Sequence, residues 1–121
     1  MLFRSAHELG AEVNDVDRLA VLDRAAEHPD ASVLRATARA LGPIQHAAAT
    51  RPLVTMLAHE RFDVRIAAAR ALALHPDEGH DALHAHLAVE LDPLVRDTIH
   101  EALLPADPHA EATRIAPPPS A

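Results

Sequence analysis

Asp63-Val64-Arg65-Ile66-Ala67-Ala68-Ala69-Arg70-Ala71-Leu72 is the stretch whose reading decides the fold. Val64, Ala67, Ala68, Ala71 and Leu72 follow the i, i+3, i+4, i+7, i+8 spacing of one apolar helix face. The pattern recurs on both sides. Val33, Ala36, Thr37, Ala40 and Leu41 lie 31 residues earlier, and Val95, Thr98, Ile99, Ala102 and Leu103 lie 31 residues later. A Val, an Ala and a Leu held in register through two equal offsets mark an internal repeat. Small residues within each stripe let neighbouring helices approach closely. Ser32, Asp63 and Asp92 are the expected N-caps, and Pro93 fits a first turn where its missing N–H costs nothing. Gly42-Pro43, Pro76 and Pro105 are expected to end the helices, because proline cannot continue the hydrogen-bond ladder.

Each stripe follows another apolar run: Val16, Leu19, Ala20, Leu22 and Ala26, then Pro52, Leu53, Met56 and Leu57, then Leu83, Leu87 and Leu91. Short turns at 28–31, 59–63 and 90–93 join the partners, giving helical hairpins over 15–43, 46–76 and 78–105. One such hairpin cannot bury its apolar face alone, whereas stacked neighbours can. The expected fold is all-α, a right-handed α-solenoid of three hairpins within a repeat domain spanning 1–105. Residues 2–12 read as one more second helix without a first-helix partner, with Leu9-Gly10 echoing Leu41-Gly42. That half-repeat is expected to act as a cap, to mark an excerpt of a longer array, or to present a flank for self-association. Residues 106–121 include Pro117-Pro118-Pro119, lack a helical stripe and read as a disordered or extended tail.

The pattern of Asp, one or two residues, Val-Arg, an Ala-rich stretch and Ala-Leu resembles the second helix of HEAT repeats, particularly the short bacterial, lyase-associated kind. Asp63-Val64-Arg65 through Ala71-Leu72 is the fullest match, and Asp92-Pro93-Leu94-Val95-Arg96 is good. Ser32-Val33-Leu34-Arg35 is the loosest, with its Arg displaced by one. The resemblance implies a curved array whose second helices line a concave surface where extended partners dock. It also brings two enzymatic rivals, the bilin lyases and the di-iron deoxyhypusine hydroxylases. In the hydroxylases a His-Glu pair directly follows Val-Arg, but here those columns hold Arg35-Ala36 or Ala36-Thr37, Ile66-Ala67 and Asp97-Thr98. His7-Glu8 lies near the start of the chain, His59-Glu60 falls in a turn and His100-Glu101 comes a turn too late, so two symmetric sites cannot be assembled. The resemblance to lyases rests on the repeat alone.

Composition narrows the rest. The 121 residues hold no Cys, which excludes a disulfide framework, a zinc knuckle and a thiol nucleophile. All 11 basic residues are Arg, which excludes a lysine Schiff base and a P-loop lysine. A net charge of −7 argues against nucleic acid, whose affinity comes from neutralised phosphates. No apolar run approaches the roughly 20 residues that span a bilayer, and no signal peptide opens the chain, so a cytoplasmic protein is expected. Ser5, Ser32 and Ser120 lie in no nucleophile elbow, and the 3 glycines are too scattered for a phosphate-binding loop.

Two groups of side chains are candidates for function. His80 and His84, at i and i+4, could chelate a divalent ion from one helix face, but two further ligands are not evident. The simpler expectation puts Leu83 and Leu87 in the core and His80, His84 and His86 on the solvated face, with no metal and no cofactor. Protonating all 10 histidines would move the charge from −7 to about +3, so association is expected to depend on pH between roughly 5.5 and 7. The second group is the outer side of the second helices, with columns Arg35, Ile66, Asp97; Ala38, Ala69, His100; and Arg39, Arg70, Glu101, flanked by Leu34, Arg65 and Arg96. Arg35, Arg39, Arg65, Arg70 and Arg96, with His100 and Glu101, are expected to meet a protein partner carrying an acidic segment, since arginine pairs bidentately with carboxylates. The competing expectation has these arginines bonding a neighbouring Asp63 or Asp92 to hold the stack together. The sequence thus points to a non-enzymatic scaffold or adaptor.

Overall fold

The computed structural model describes residues 16–105. Helix α1 covers 16–25, followed by α2 (Ala31–Leu41), a 3-10 turn (Ala47–Ala49), α3 (Thr50–Leu57), α4 (Phe62–Leu72), α5 (Glu78–Leu87) and α6 (Pro93–Ala102). The described residues form helices and turns only, paired as α1/α2, α3/α4 and α5/α6. The second helices α2, α4 and α6 lie side by side in that order, and α3 and α5 both pack on α4, the central helix. This is the α-solenoid expected. The expectations for 2–12 and 106–121 fall outside the described residues. No helix among the described residues is long and apolar enough to cross a membrane.

The helix starts keep the 31-residue period more strictly than the letters do. Their N-cap positions are Asp30, Arg61 and Asp92. Asp30 and Asp92 cap with their side chains: Oδ1 of Asp30 accepts from the N–H of Ser32 at 2.7 Å, and Oδ1 of Asp92 from that of Leu94 at 2.8 Å. Ser32, expected as the cap of α2, is already helical, since Asp30 provides the better-placed acceptor. Asp63 likewise sits inside the first turn of α4, where it complements the helix dipole rather than capping.

The core reads Leu34, Leu41, Leu53, Met56, Leu57, Val64, Leu72, Leu83, Val95 and Ile99, filled in by Ala38, Ala49, Ala68, Ala69 and Ala71. In α4 and α6 the expected stripe holds, through Val64, Ala68, Ala71 and Leu72, and through Val95 and Ile99. In α2 the buried face is rotated: Leu34, Thr37, Ala38 and Leu41 are buried, Val33 is half-buried, and Ala36 and Ala40 are exposed. The reason is positional. Each second helix has one flank toward the preceding second helix and one toward the next. Among the second helices of the described residues α2 packs on α4 alone, so its forward flank is the buried one.

That arrangement also corrects the outer columns. Ala38 and Ala69 are completely buried, because they lie where the next second helix stacks, and only their equivalent on α6, His100, is exposed. Leu91, expected in the α5 face, is 91% exposed, since α5 stops at Leu87 and leaves Leu91 in the turn. Val16 and Ala20 of the α1 face are exposed, while Leu19, Leu22 and Ala26 pack partly against the core. Between repeats the helices run very close. A Cβ on Gly79, near the start of α5, would collide with the Leu72 carbonyl oxygen and lie 2.9 Å from Cβ of His75.

Candidate protein-binding face

The turns that aim the second helices share a device. His28, His59 and Glu90 stand 31 residues apart, and each accepts the backbone N–H two residues on. His28 Nδ1 accepts from Asp30, His59 Nδ1 from Arg61, and Glu90 Oε2 from Asp92, each at 3.0 Å. His46 Nδ1 does the same for Ala48 at the 3-10 turn. Three of the ten histidines are therefore turn formers. The period that reveals the helices also runs through 28, 59 and 90, so this signal was present in the sequence.

Arg65 and Arg96 hold the same turns from the second helices. Arg65 Nη1 donates to the carbonyls of His59 and Glu60 at 2.8 and 2.9 Å, while Arg96 Nη1 donates to those of Leu87 and Glu90 at 2.8 and 2.9 Å. Arg65 also forks onto Glu90, with Nε donating at 2.9 Å and Nη2 at 3.2 Å. His86 Nε2 lies 2.8 Å from the same carboxylate. Burial pushes the Glu90 carboxyl up, but the bonds from His86, the Asp92 N–H and Arg65 outweigh it and hold the group below the usual carboxylate range. Glu90, only 5% exposed, joins the second and third repeats. His86, expected on the solvated face, is half-buried in this network.

Arg35 has both an internal and an external side. Its Nη1 donates to Asp63 Oδ2 at 3.1 Å, linking α2 to α4. Arg61 clasps the same carboxylate from the other side, and that hydrogen bond leads the causes that lower the Asp63 pKa. The Arg35 side chain is still 42% exposed. The stacking expectation is thus met by Arg35 with Asp63, and for Arg65 by Glu90 rather than an Asp.

Arg39, Arg70, His100 and Glu101 are exposed and have no side-chain hydrogen bond or ion pair among the described residues. Arg39, Arg70 and Glu101 occupy the same repeat position on α2, α4 and α6. Between α2 and α4 runs a groove of about 350 Å³, lined by Arg35, Arg39, Arg70, Gly42, Pro43, Ala67, Ala71 and Leu74. Its polar walls are guanidinium groups, its floor is apolar, and no carboxylate lines it. The structure therefore brings Arg35, Arg39 and Arg70 together, sets His100 and Glu101 further along on α6, and turns Arg65 and Arg96 inward.

Of the candidate metal pair, His80 does not lie on the solvated face as expected, whereas His84 does. His80 is half-buried with Nε2 3.3 Å from the Ala73 carbonyl oxygen, while His84 is exposed. Among the described residues no three His, Asp or Glu side chains gather in a geometry that could hold a metal ion.

A comparison with known families matches HEAT repeats over residues 5–104, most of the chain. The chain belongs to the HEAT-repeat family. No curated protein and no solved structure gives a match. HEAT membership accords with the stacked second helices.

Proposed function

We propose that this HEAT-repeat chain is a non-enzymatic scaffold that binds a protein partner across the exposed side of α2, α4 and α6. The observation that carries this reading is the contrast among the arginines. Arg65 and Arg96 are bonded to turn carbonyls, whereas Arg39 and Arg70 face solvent at equivalent positions beside an apolar floor. Exposed arginine next to apolar surface is the composition of a protein interface, where the stem packs and the fork binds.

The test is selection of peptides from a random displayed library on the immobilised chain, followed by NMR mapping with the enriched peptide. Amide shifts should concentrate on the outer side of α2, α4 and α6, around Arg39, Arg70 and His100. Shifts confined to α3 and α5, or no enrichment, would overturn the proposal.

A further inference from the structure

The face that this reading assigns to a partner is electrically divided, and the division specifies the partner's sequence. The column at one repeat position runs Arg39, Arg70, Glu101, and the adjacent column runs Arg35, Ile66, Asp97. Both are positive on α2 and turn negative on α6. All of Arg39, Arg70, Asp97 and Glu101 are exposed. Adjacent packed helices lie about 8–10 Å apart, and an extended chain in the polyproline II form advances about 3.1 Å per residue with three residues per turn, so residues three apart share one face. Such a segment crossing these helices therefore presents a same-face side chain to a new one roughly every three residues.

We infer that the partner is an extended acidic-apolar segment with a fixed polarity. Its two carboxylate residues stand three apart and pair with Arg39 and Arg70. An apolar side chain between them rests on Pro43, Ala71 and Leu74, and a Lys or Arg three residues beyond pairs with Glu101. Charge complementarity selects this occupant. The groove concentrates three arginines in a chain of net charge −7, so a carboxylate reaching it meets local attraction. The apolar floor favours a peptide over a bare phosphate backbone, because Leu74, 51% exposed, has nothing to gain from a phosphate. Arg35 contributes less than Arg39 or Arg70, since Asp63 already occupies part of its fork.

This inference rests on the scaffold reading, and its experiment separates the two. Peptides enriched from the random library on the full chain are sequenced, and their affinities measured by fluorescence anisotropy against the parent and three variants. The enriched peptides should share two acidic residues three apart, an apolar residue between them and a basic residue beyond. Arg39→Ala and Arg70→Ala should each weaken binding about five- to tenfold, as expected for a charge-assisted contact at a partly exposed site. A fresh selection on Glu101→Arg should change the third charged position of the consensus from basic to acidic, a switch that a merely structural role would not produce. Enriched peptides without that pattern, or insensitive to both Arg39→Ala and Arg70→Ala, would overturn the inference and leave the scaffold reading in place. Affinity that appears only after residues 106–121 are removed would make the chain's own tail the occupant and overturn it too. No enrichment would overturn both.

Discussion

Replacing Glu90 with Ala removes the acceptor on which two repeats converge. In the folded chain this carboxylate receives Arg65 Nε at 2.9 Å, Arg65 Nη2 at 3.2 Å, His86 Nε2 at 2.8 Å and the Asp92 N–H at 3.0 Å. Its side chain is 4% exposed and that of Arg65 16%. Without Glu90 the Arg65 guanidinium keeps its carbonyl partners but loses its counter-ion in a largely desolvated place. Breaking a buried pair from one side costs about 3–5 kcal/mol, and the bonds Arg65 retains to His59 and Glu60 put this case near 3 kcal/mol. For a domain of this size each 1 kcal/mol moves Tm by roughly 4–8 °C, so Glu90→Ala should melt about 12–24 °C below the parent in calorimetry. Glu90→Gln, which keeps an acceptor for the Asp92 N–H but loses the charge, should fall between the two. The pH profile gives a second reading. A carboxyl held below its ordinary value of 4.5 contributes stability that is complete above that value and is lost as pH falls through the folded-state value. The parent should therefore lose stability below about pH 4.5 more steeply than Glu90→Gln. A Glu90→Ala protein melting within a few degrees of the parent would refute the reasoning, since the network would then be ornamental.

Further expectations follow from packing and from the histidines. Gly79→Ala drives a Cβ into the Leu72 carbonyl and should cost about 1–3 kcal/mol by denaturant titration, with any gain in stability refuting the close approach. Gly42→Ala, on ordinary helical backbone, puts a Cβ 3.1 Å from the flexible Leu74 side chain and 3.3 Å from Cα of Ala71, milder approaches that should cost less than Gly79→Ala. Ala69→Leu, at a site with no exposure, should cost about 1–3 kcal/mol, while Leu91→Ser, at a site 91% exposed, should stay within about 0.5 kcal/mol of the parent. Mass spectrometry of untagged protein should find no stoichiometric metal; bound iron or zinc would favour the enzymatic reading.

Reading the sequence reached the fold through one strong signal, the 31-residue recurrence of Val33, Val64 and Val95, and the hairpins follow it. It misread which flank of α2 is buried, because periodicity fixes the width of an apolar stripe but not which neighbour covers it. In an alanine-rich helix the two flanks look alike: Ala36 and Ala40 are exposed, Ala38 is not. The exposure of Arg39 and Arg70 was legible, as polar side chains at equivalent positions off the apolar stripe. Arg65 and Arg96 stood apart as the Val-Arg of the repeat, but their inward turn was not legible, since the bonds go to backbone carbonyls, which every residue carries. The role of Glu90 was hidden for a related reason: its partners Arg65 and His86 come together only when α4 and the α5–α6 turn pack.

The most direct test of the central claim is a charge swap. The best library peptide is titrated against the parent and against an Arg39→Glu/Arg70→Glu double variant, then resynthesised with its two acidic residues replaced by lysine and titrated again. The account predicts that the double variant loses the original peptide and regains binding to the lysine version. Undiminished binding of the original peptide by the double variant, or a loss that the lysine version does not restore, would contradict it.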